Sequence, residues 1–228
     1  PLKRGRCTVR ESVGVKPVSR AQVDATLPHL TKILGDMVRF QLLTGCRPGE
    51  LTGIRPCLVD RSESVWQIEL AEHKTAHRGK KRIIYVGPQG QAVLEPYLLR
   101  GPDSYCFSPI ESERQRRQTR HESRNVADSC GNRPGYSQRT RLGRKPRREP
   151  STQWTSGTYA RAIRSACLRA KLEVWSPNQL RHTAATDIRK RFGLEAASVI
   201  LGHSELGVTQ IYAEADQLKA IEVANLVG

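Results

Sequence analysis

The sequence predicts a mainly α-helical fold carrying a small antiparallel β-sheet in its N-terminal third, an α+β class. Three observations lead there. Leu30, Ile33, Leu34, Met37, Val38 and Leu42 recur at helical spacing. Two β-rich runs, "SVWQIELA" and "KRIIYVG", are joined by the polar "EHKTAHRGK", the pattern of a strand pair. Helical periodicity then resumes with Tyr159, Ile163, Ala166, Cys167 and Ala170. No internal repeat is present.

Taken in order, residues 1–17 are basic, lack periodicity and end at Pro17, so they read as a linker or arm. Ser19 is placed to N-cap a short helix in "SRAQVDATLPHL". Pro28 is expected to start a second helix, through "HLTKILGDMVRFQLLTG", which Gly45 stops. Pro48 in "CRPGELTGI" suits a first helical turn, and the two strands follow. "PQGQAVLEPYLL" returns to helix. Residues 111–152 hold about a dozen Arg or Lys and almost no large apolar side chain, too little to bury. They read as a basic surface insertion, solvated and partly mobile, or lying on phosphates. After the periodic stretch at 159–170 come a helix beyond Pro177 in "NQLRHTAATDIRKRFG", a short helix in "GLEAASVILG", and a terminal helix in "DQLKAIEVANLV". The expected organisation is an arm over 1–17 and one domain over 18–228.

The 228 residues, 37% of them hydrophobic, suffice for one sizeable core. Lys and Arg total 38 against 22 Asp and Glu, a formal net charge of +16. That balance favours a polyanionic partner, nucleic acid before an anionic membrane surface. No apolar run approaches the roughly 20 residues of a spanning helix, and "PLKRGRCTVRESVGV" lacks the apolar centre of a signal peptide. An RNA-binding module gains little support, because aromatic content is 5% and no stacking-aromatic motif occurs. The six cysteines show no CxxC spacing, so they read as free thiols of a reducing cytoplasm rather than disulfides or zinc ligands.

Four segments concentrate chemistry: "TGCRPGEL" with Arg47, "EHKTAHRGKKR" with Lys74, "NQLRHTAAT" with Arg181, and "ILGHSELGVTQIYAEAD" with His203 and Tyr212. Singly, each has a plain explanation. Arg47 can pair with Glu50, Lys74 can be a solvated hairpin lysine, His203 can cap a helix, and Tyr212 can be half-buried packing. Together and in this order they resemble the catalytic domain of the tyrosine recombinase, or phage integrase, family, from about residue 17 to about residue 216. "TGCRPGEL" is similar to that family's first-arginine box and "LGHSELGVTQIY" to its closing box.

The resemblance implies metal-free, ATP-free cutting and rejoining of DNA strands, with no cofactor. Tyr212 would attack a phosphodiester, forming a 3′-phosphotyrosine and releasing a 5′-hydroxyl. Arg47 and Arg181 would hold the nonbridging oxygens, planar and always charged as guanidiniums are. Lys74 would protonate the departing oxygen, His203 would donate a hydrogen bond to the phosphate, and Glu50, with the small Thr183 and Ala184, would support the arginines. Arg78, Lys80, Lys81, Arg189 and Lys190 are candidate DNA contacts. One position departs from the family pattern: three before the second arginine, where a histidine or lysine usually assists, stands Asn178. An amide orients but does not titrate. His182 points about a hundred degrees round the helix and is a poor substitute.

The family implies further a DNA-bound tetramer in which the C-terminal helix passes to a neighbour; Leu218, Ile221, Val223 and Leu226 are the apolar positions for that, or for packing on their own domain. It also implies a separate helical DNA-binding domain ahead of the catalytic one. This chain begins about where the linker would lie, so a catalytic fragment, or a protein without that clamp, is expected. The remaining alternatives are a topoisomerase-like relaxing enzyme with the same site and a degenerate, non-catalytic DNA-binding protein. A bacterial or phage-type protein in the cytoplasm, on the nucleoid, is the expected setting.

Overall fold

Ser19 caps helix α1 (Arg20–Thr26) by accepting from the Gln22 N–H at 3.2 Å. Pro28 does not open the next helix as the sequence predicts. It lies in a 3-10 turn, Leu27–His29, and Leu30 is extended at φ −103°, ψ 156°, so helix α2 (Lys32–Thr44) starts beyond it. Gly45 ends α2 at φ 62°, its N–H bonded to Gln41 O at 2.9 Å. Helix α3 (Pro48–Thr52) follows at once, with Pro48 in its first turn as expected. The computed structural model describes residues 15–70, 82–124, 151–202 and 221–227. Of the expected arm over 1–17, residues 1–14 therefore lie outside the described residues.

The sheet has three strands, β1 (Val59–Asp60), β2 (Trp66–Leu70) and β3 (Arg82–Val86), antiparallel in the order β1-β2-β3. The two-residue β1 is too short to leave a period-two signal in the sequence. Between β2 and β3 the register pairs Trp66 with Val86 and Leu70 with Arg82. Helix α4 (Pro88–Leu94) leads on to helix α5 (Pro109–Glu122).

Helix α5 corrects the reading of 111–152 as insertion throughout. Hydropathy alone hides it, because polar contacts hold it. Ser108 caps its N-terminus, Glu113 pairs with Arg116 and Arg117 one turn on, and Ser112 is buried against Thr31, hydroxyl to hydroxyl at 2.7 Å. Residues 125–150 lie outside the described residues.

Helix α6 (Ser156–Arg169) buries Tyr159, Ile163, Ala166 and Cys167, the positions its periodicity singled out. Helix α7 (Pro177–Leu201) is two helices joined at Gly193, whose φ 87°, ψ 176° lies in a region essentially reserved for glycine. That break matches the two helices read from the sequence on either side of Gly193. Its geometric effect is large. Twenty residues of straight helix span about 30 Å, yet Arg181 Nη2 lies 2.6 Å from Leu201 O, twenty positions on. The break folds the second piece back onto the first. Helix α8 covers residues 221–227.

Two apolar clusters form among the described residues. The first gathers α1, α2, α6 and one side of the sheet, with Met37, Val38, Phe40, Leu51, Ile84 and Ile163 at its centre. The second joins Val65 and Tyr85 to Ile188, Ala196, Ala197, Ile200 and Leu201 of α7 and to Val223 and Ala224 of α8. Thus α8 packs here on its own chain, while Leu226 stays exposed. Cys46, Cys57, Cys106 and Cys167 are free thiols, whereas Cys7 and Cys130 lie outside the described residues.

Nothing lies within 4 Å of the place a Cβ would take on Gly193, so a side chain there meets only backbone strain. Gly193→Ala should lose about 1–3 kcal/mol of stability, measured by urea unfolding. An alanine variant as stable as the parent would show that the fold-back does not depend on that backbone state.

Candidate active site

Arg47 is the N-cap of α3, and its position follows from the turn at Gly45 and the proline after it. Its backbone N–H donates to Glu50 Oε2 at 2.8 Å and its Nη1 to Glu50 Oε1 at 2.7 Å. The plain pairing anticipated from the sequence is therefore present. It does not consume the residue, since 31% of the Arg47 side chain remains exposed while Glu50 keeps only 4%.

Arg181 reaches the same place from the other end of the chain. Its Nη1 donates to Gly45 O at 2.7 Å and its Nη2 to Leu201 O at 2.6 Å. Close approach permits this. A Cβ on Gly45 would lie 2.6 Å from Leu201 Cδ2 and 3.5 Å from the small Ala184. Thr183 anchors the helix from behind, its Oγ1 donating to Val18 O at 2.7 Å. Burial and the neighbouring Arg47 and Arg82 push the Arg181 guanidinium down to about 10, and it stays charged at neutral pH. Beside it, burial raises the Cys46 thiol to about 12, so that side chain is neutral filling.

The third guanidinium is one the sequence reading missed. Arg82 begins β3 with 5% exposure, its Nε 3.3 Å from Glu50 Oε1 and its Nη2 3.4 Å from Oε2. Its Nη1 donates to Ile83 O at 3.0 Å and to Ile200 O at 3.1 Å. A signal existed: Arg82 is in phase with the buried Ile84 and Val86, a charge on the inward face of a strand. Two guanidiniums thus hold one carboxylate with a third close by, which leaves positive charge in excess among the described residues, where an anion could dock. Arg82 and Arg181 also satisfy the carbonyls that end α7, where helix carbonyls otherwise lack partners.

Asn178 is exposed in the first turn of α7, one turn before Arg181. Arg189 and Lys190 are exposed on the same helix. At about 100° per residue, Arg189 stands about 80° round from Arg181 and Lys190 about 180°. Lys74, Arg78, Lys80, Lys81, His203 and Tyr212 lie outside the described residues. Gly202, directly before His203, is left-handed at φ 63°, and a Cβ there would meet Arg82 Nη1 at 2.7 Å. Among the described residues no His, Cys, Asp and Glu group has the makings of a metal site, and no helix is long and apolar enough to cross a membrane.

The mainly helical frame, the three-stranded sheet and the converging arginines define a class. The family model for the phage integrase family matches residues 26–219, and the chain belongs to that family, the tyrosine recombinases. Among solved structures it is similar to XerA recombinase, at 20% identity and a TM-score of 0.53 over 95% of this chain and 65% of that one. It is also similar to XerH site-specific recombinase bound to difH substrate in a pre-cleavage complex, at 12% identity and a TM-score of 0.47 over 94% of this chain and 58% of that one. The chain thus spans somewhat under two thirds of these neighbours. No match is found among curated protein sequences.

Burial works against the Glu50 charge, but Arg82 and the backbone and side chain of Arg47 outweigh it and hold the carboxyl below its ordinary 4.5. A lowered carboxyl pKa stabilises the fold above the carboxylate range and loses that contribution as pH falls through the folded value. Glu50→Gln should therefore be less stable at neutral pH, by about 3–5 kcal/mol for a broken buried pair. It should also lose less than the parent on acidification. Unfolding curves between about pH 6 and about pH 3 test this; parallel pH profiles would remove Glu50 from that role.

Proposed function

We propose that this chain is the catalytic part of a site-specific DNA recombinase that cuts and rejoins strands through a 3′-phosphotyrosine. The observation that carries the reading is the meeting of Arg181 with the Gly45–Arg47 turn, 136 positions away along the chain. Two guanidiniums brought that far to one place, with surplus positive charge and part of Arg47 still open, suit a phosphate better than a structural ion pair. The +16 net charge supports DNA as its bearer.

In the reaction, the Tyr212 phenolic oxygen attacks phosphorus, the P–O5′ bond breaks, and the 3′ end is left on the tyrosine. The phenol gives up its proton, and Lys74 supplies one to the departing 5′ oxygen. Attack by another 5′-hydroxyl reverses the step, so no energy source is needed. Arg47 and Arg181 neutralise charge that builds on the nonbridging oxygens, where one donor of this kind is worth about 10²–10³ in rate. His203 donates to the same phosphate. Arg78, Lys80, Lys81, Arg189 and Lys190 contact backbone phosphates around it, and the active assembly on paired sites is a tetramer. No metal or cofactor takes part.

Asn178 fits a variant site in which the phenol loses its proton without a titrating neighbour at that position. Tyrosine has a free pKa near 10, so this step is slow unless the cationic site favours the phenolate.

Two experiments test the scheme with nicked duplexes spanning the ends of the element that carries the gene. Tyr212→Phe should abolish the denaturation-resistant protein–DNA adduct and leave binding intact; persistent trapping excludes Tyr212 as nucleophile. Asn178→His should preserve or raise the cleavage rate. A loss beyond about tenfold, or about 1.4 kcal/mol of barrier, would assign the amide a specific task.

A further inference from the structure

Arg82 and Arg181 are the two buried cations among the described residues, and only Arg181 has a role in the scheme above. The Arg82 fork divides between two structures. One side, Nε and Nη2, holds Glu50, whose Oε1 also accepts from Arg47 Nη1. The other side, Nη1, holds Ile200 O, one residue before the Leu201 carbonyl that accepts from Arg181. Arg82 is therefore a single link from each phosphate-facing arginine. Gly202 closes over it, with no room for a Cβ beside Nη1.

We propose that Arg82 is a positioning residue for the strand-transfer reaction: through Glu50 and the last turn of α7 it sets the spacing of Arg47 and Arg181, without touching DNA itself. The inference rests on the function proposed above. A purely structural role explains the contacts less well, because a buried ion pair adds little stability over a well-packed apolar replacement. The fork matters more than the charge. A lysine ammonium is a point donor and cannot hold a carboxylate and a helix-end carbonyl in fixed relation. The placement serves chemistry because small misplacement of charge-stabilising groups costs rate steeply. The same residue also opens β3, directly after the connection that carries Lys74.

The test uses the whole chain, with Arg82→Lys and Arg82→Met, on nicked duplexes whose scissile phosphate has been mapped with the parent protein. One set carries the natural phosphodiester and the other a methylphosphonate, in which an uncharged methyl replaces a nonbridging oxygen. In both, tyrosine attack breaks the same P–O5′ bond. On the phosphodiester, Arg82→Lys should form adduct about 10- to 100-fold more slowly, with DNA affinity within about twofold of the parent, as for a residue that makes no phosphate contact. On the methylphosphonate the deficit should shrink to about threefold or less, because there is less charge for the arginines to meet. An equal deficit on both substrates would mean that Arg82 only maintains the fold or serves the leaving group, and overturns the inference. So would an undiminished rate on the phosphodiester. Arg82→Met tests the same ratio without the charge; should it fail to fold, Arg82→Lys decides alone. If the parent protein itself forms no adduct on either substrate, strand transfer is overturned and the inference with it, an outcome separate from the others.

Discussion

Glu50 keeps its charge with only 4% of its side chain open to water, a state a carboxylate reaches only with partners that repay its desolvation. Those partners are Arg47, one turn away in sequence, and Arg82, at the start of β3. The pairing fixes more than two side chains. Leu51, directly after Glu50, and Ile84, two residues after Arg82, belong to the first apolar cluster, and Ile200 and Leu201 to the second. The charged group therefore stands at the seam of the two. Packing on either side holds the ions in place, and the ions fix how the two halves meet.

Among the described residues, the surplus of guanidinium over carboxylate gives the seam its chemical character. Burial first, and then the neighbouring Arg47 and Arg82, push the Arg181 pKa down, and both raise the free energy of the unliganded guanidinium. An anion placed there would relieve the repulsion between these arginines. Among the described residues the positive charge is thus held in fixed places, which is electrostatic preorganisation for negative charge. Its donors are held by main-chain carbonyls at Gly45, Ile200 and Leu201, and so by the path of the backbone.

Most of the architecture was legible because helices and strands write their period into the sequence. The apolar rows of α2 and α6, the Ser19 cap and the paired strands all stand where the pattern puts them. Arg47 and Glu50 stand out in "TGCRPGEL" and Arg181 in "NQLRHTAAT"; Arg47 pairs with Glu50, and Arg181 reaches the Gly45 carbonyl two positions before Arg47. Failures arose where stability comes from something other than apolar period. Helix α5 is held by ion pairs and hydroxyls, so a hydropathy reading sees only a charged tract. The displaced start of α2 turns on one extended residue, Leu30. Arg82 was hidden because a lysine- and arginine-rich run looks solvated, and only its phase against Ile84 and Val86 sets it apart.

The contacts that build the site are also far apart in sequence. Gly45 meets Arg181 across 136 positions, and Arg82 meets Ile200 across 118. Closing such long loops comes late in folding, after local helices have formed, because the entropy must be spent before the contact returns anything. A nascent chain emerging from the ribosome consequently owns the individual cations long before it owns their arrangement. An unfinished copy therefore carries the same charges without the geometry that gathers them.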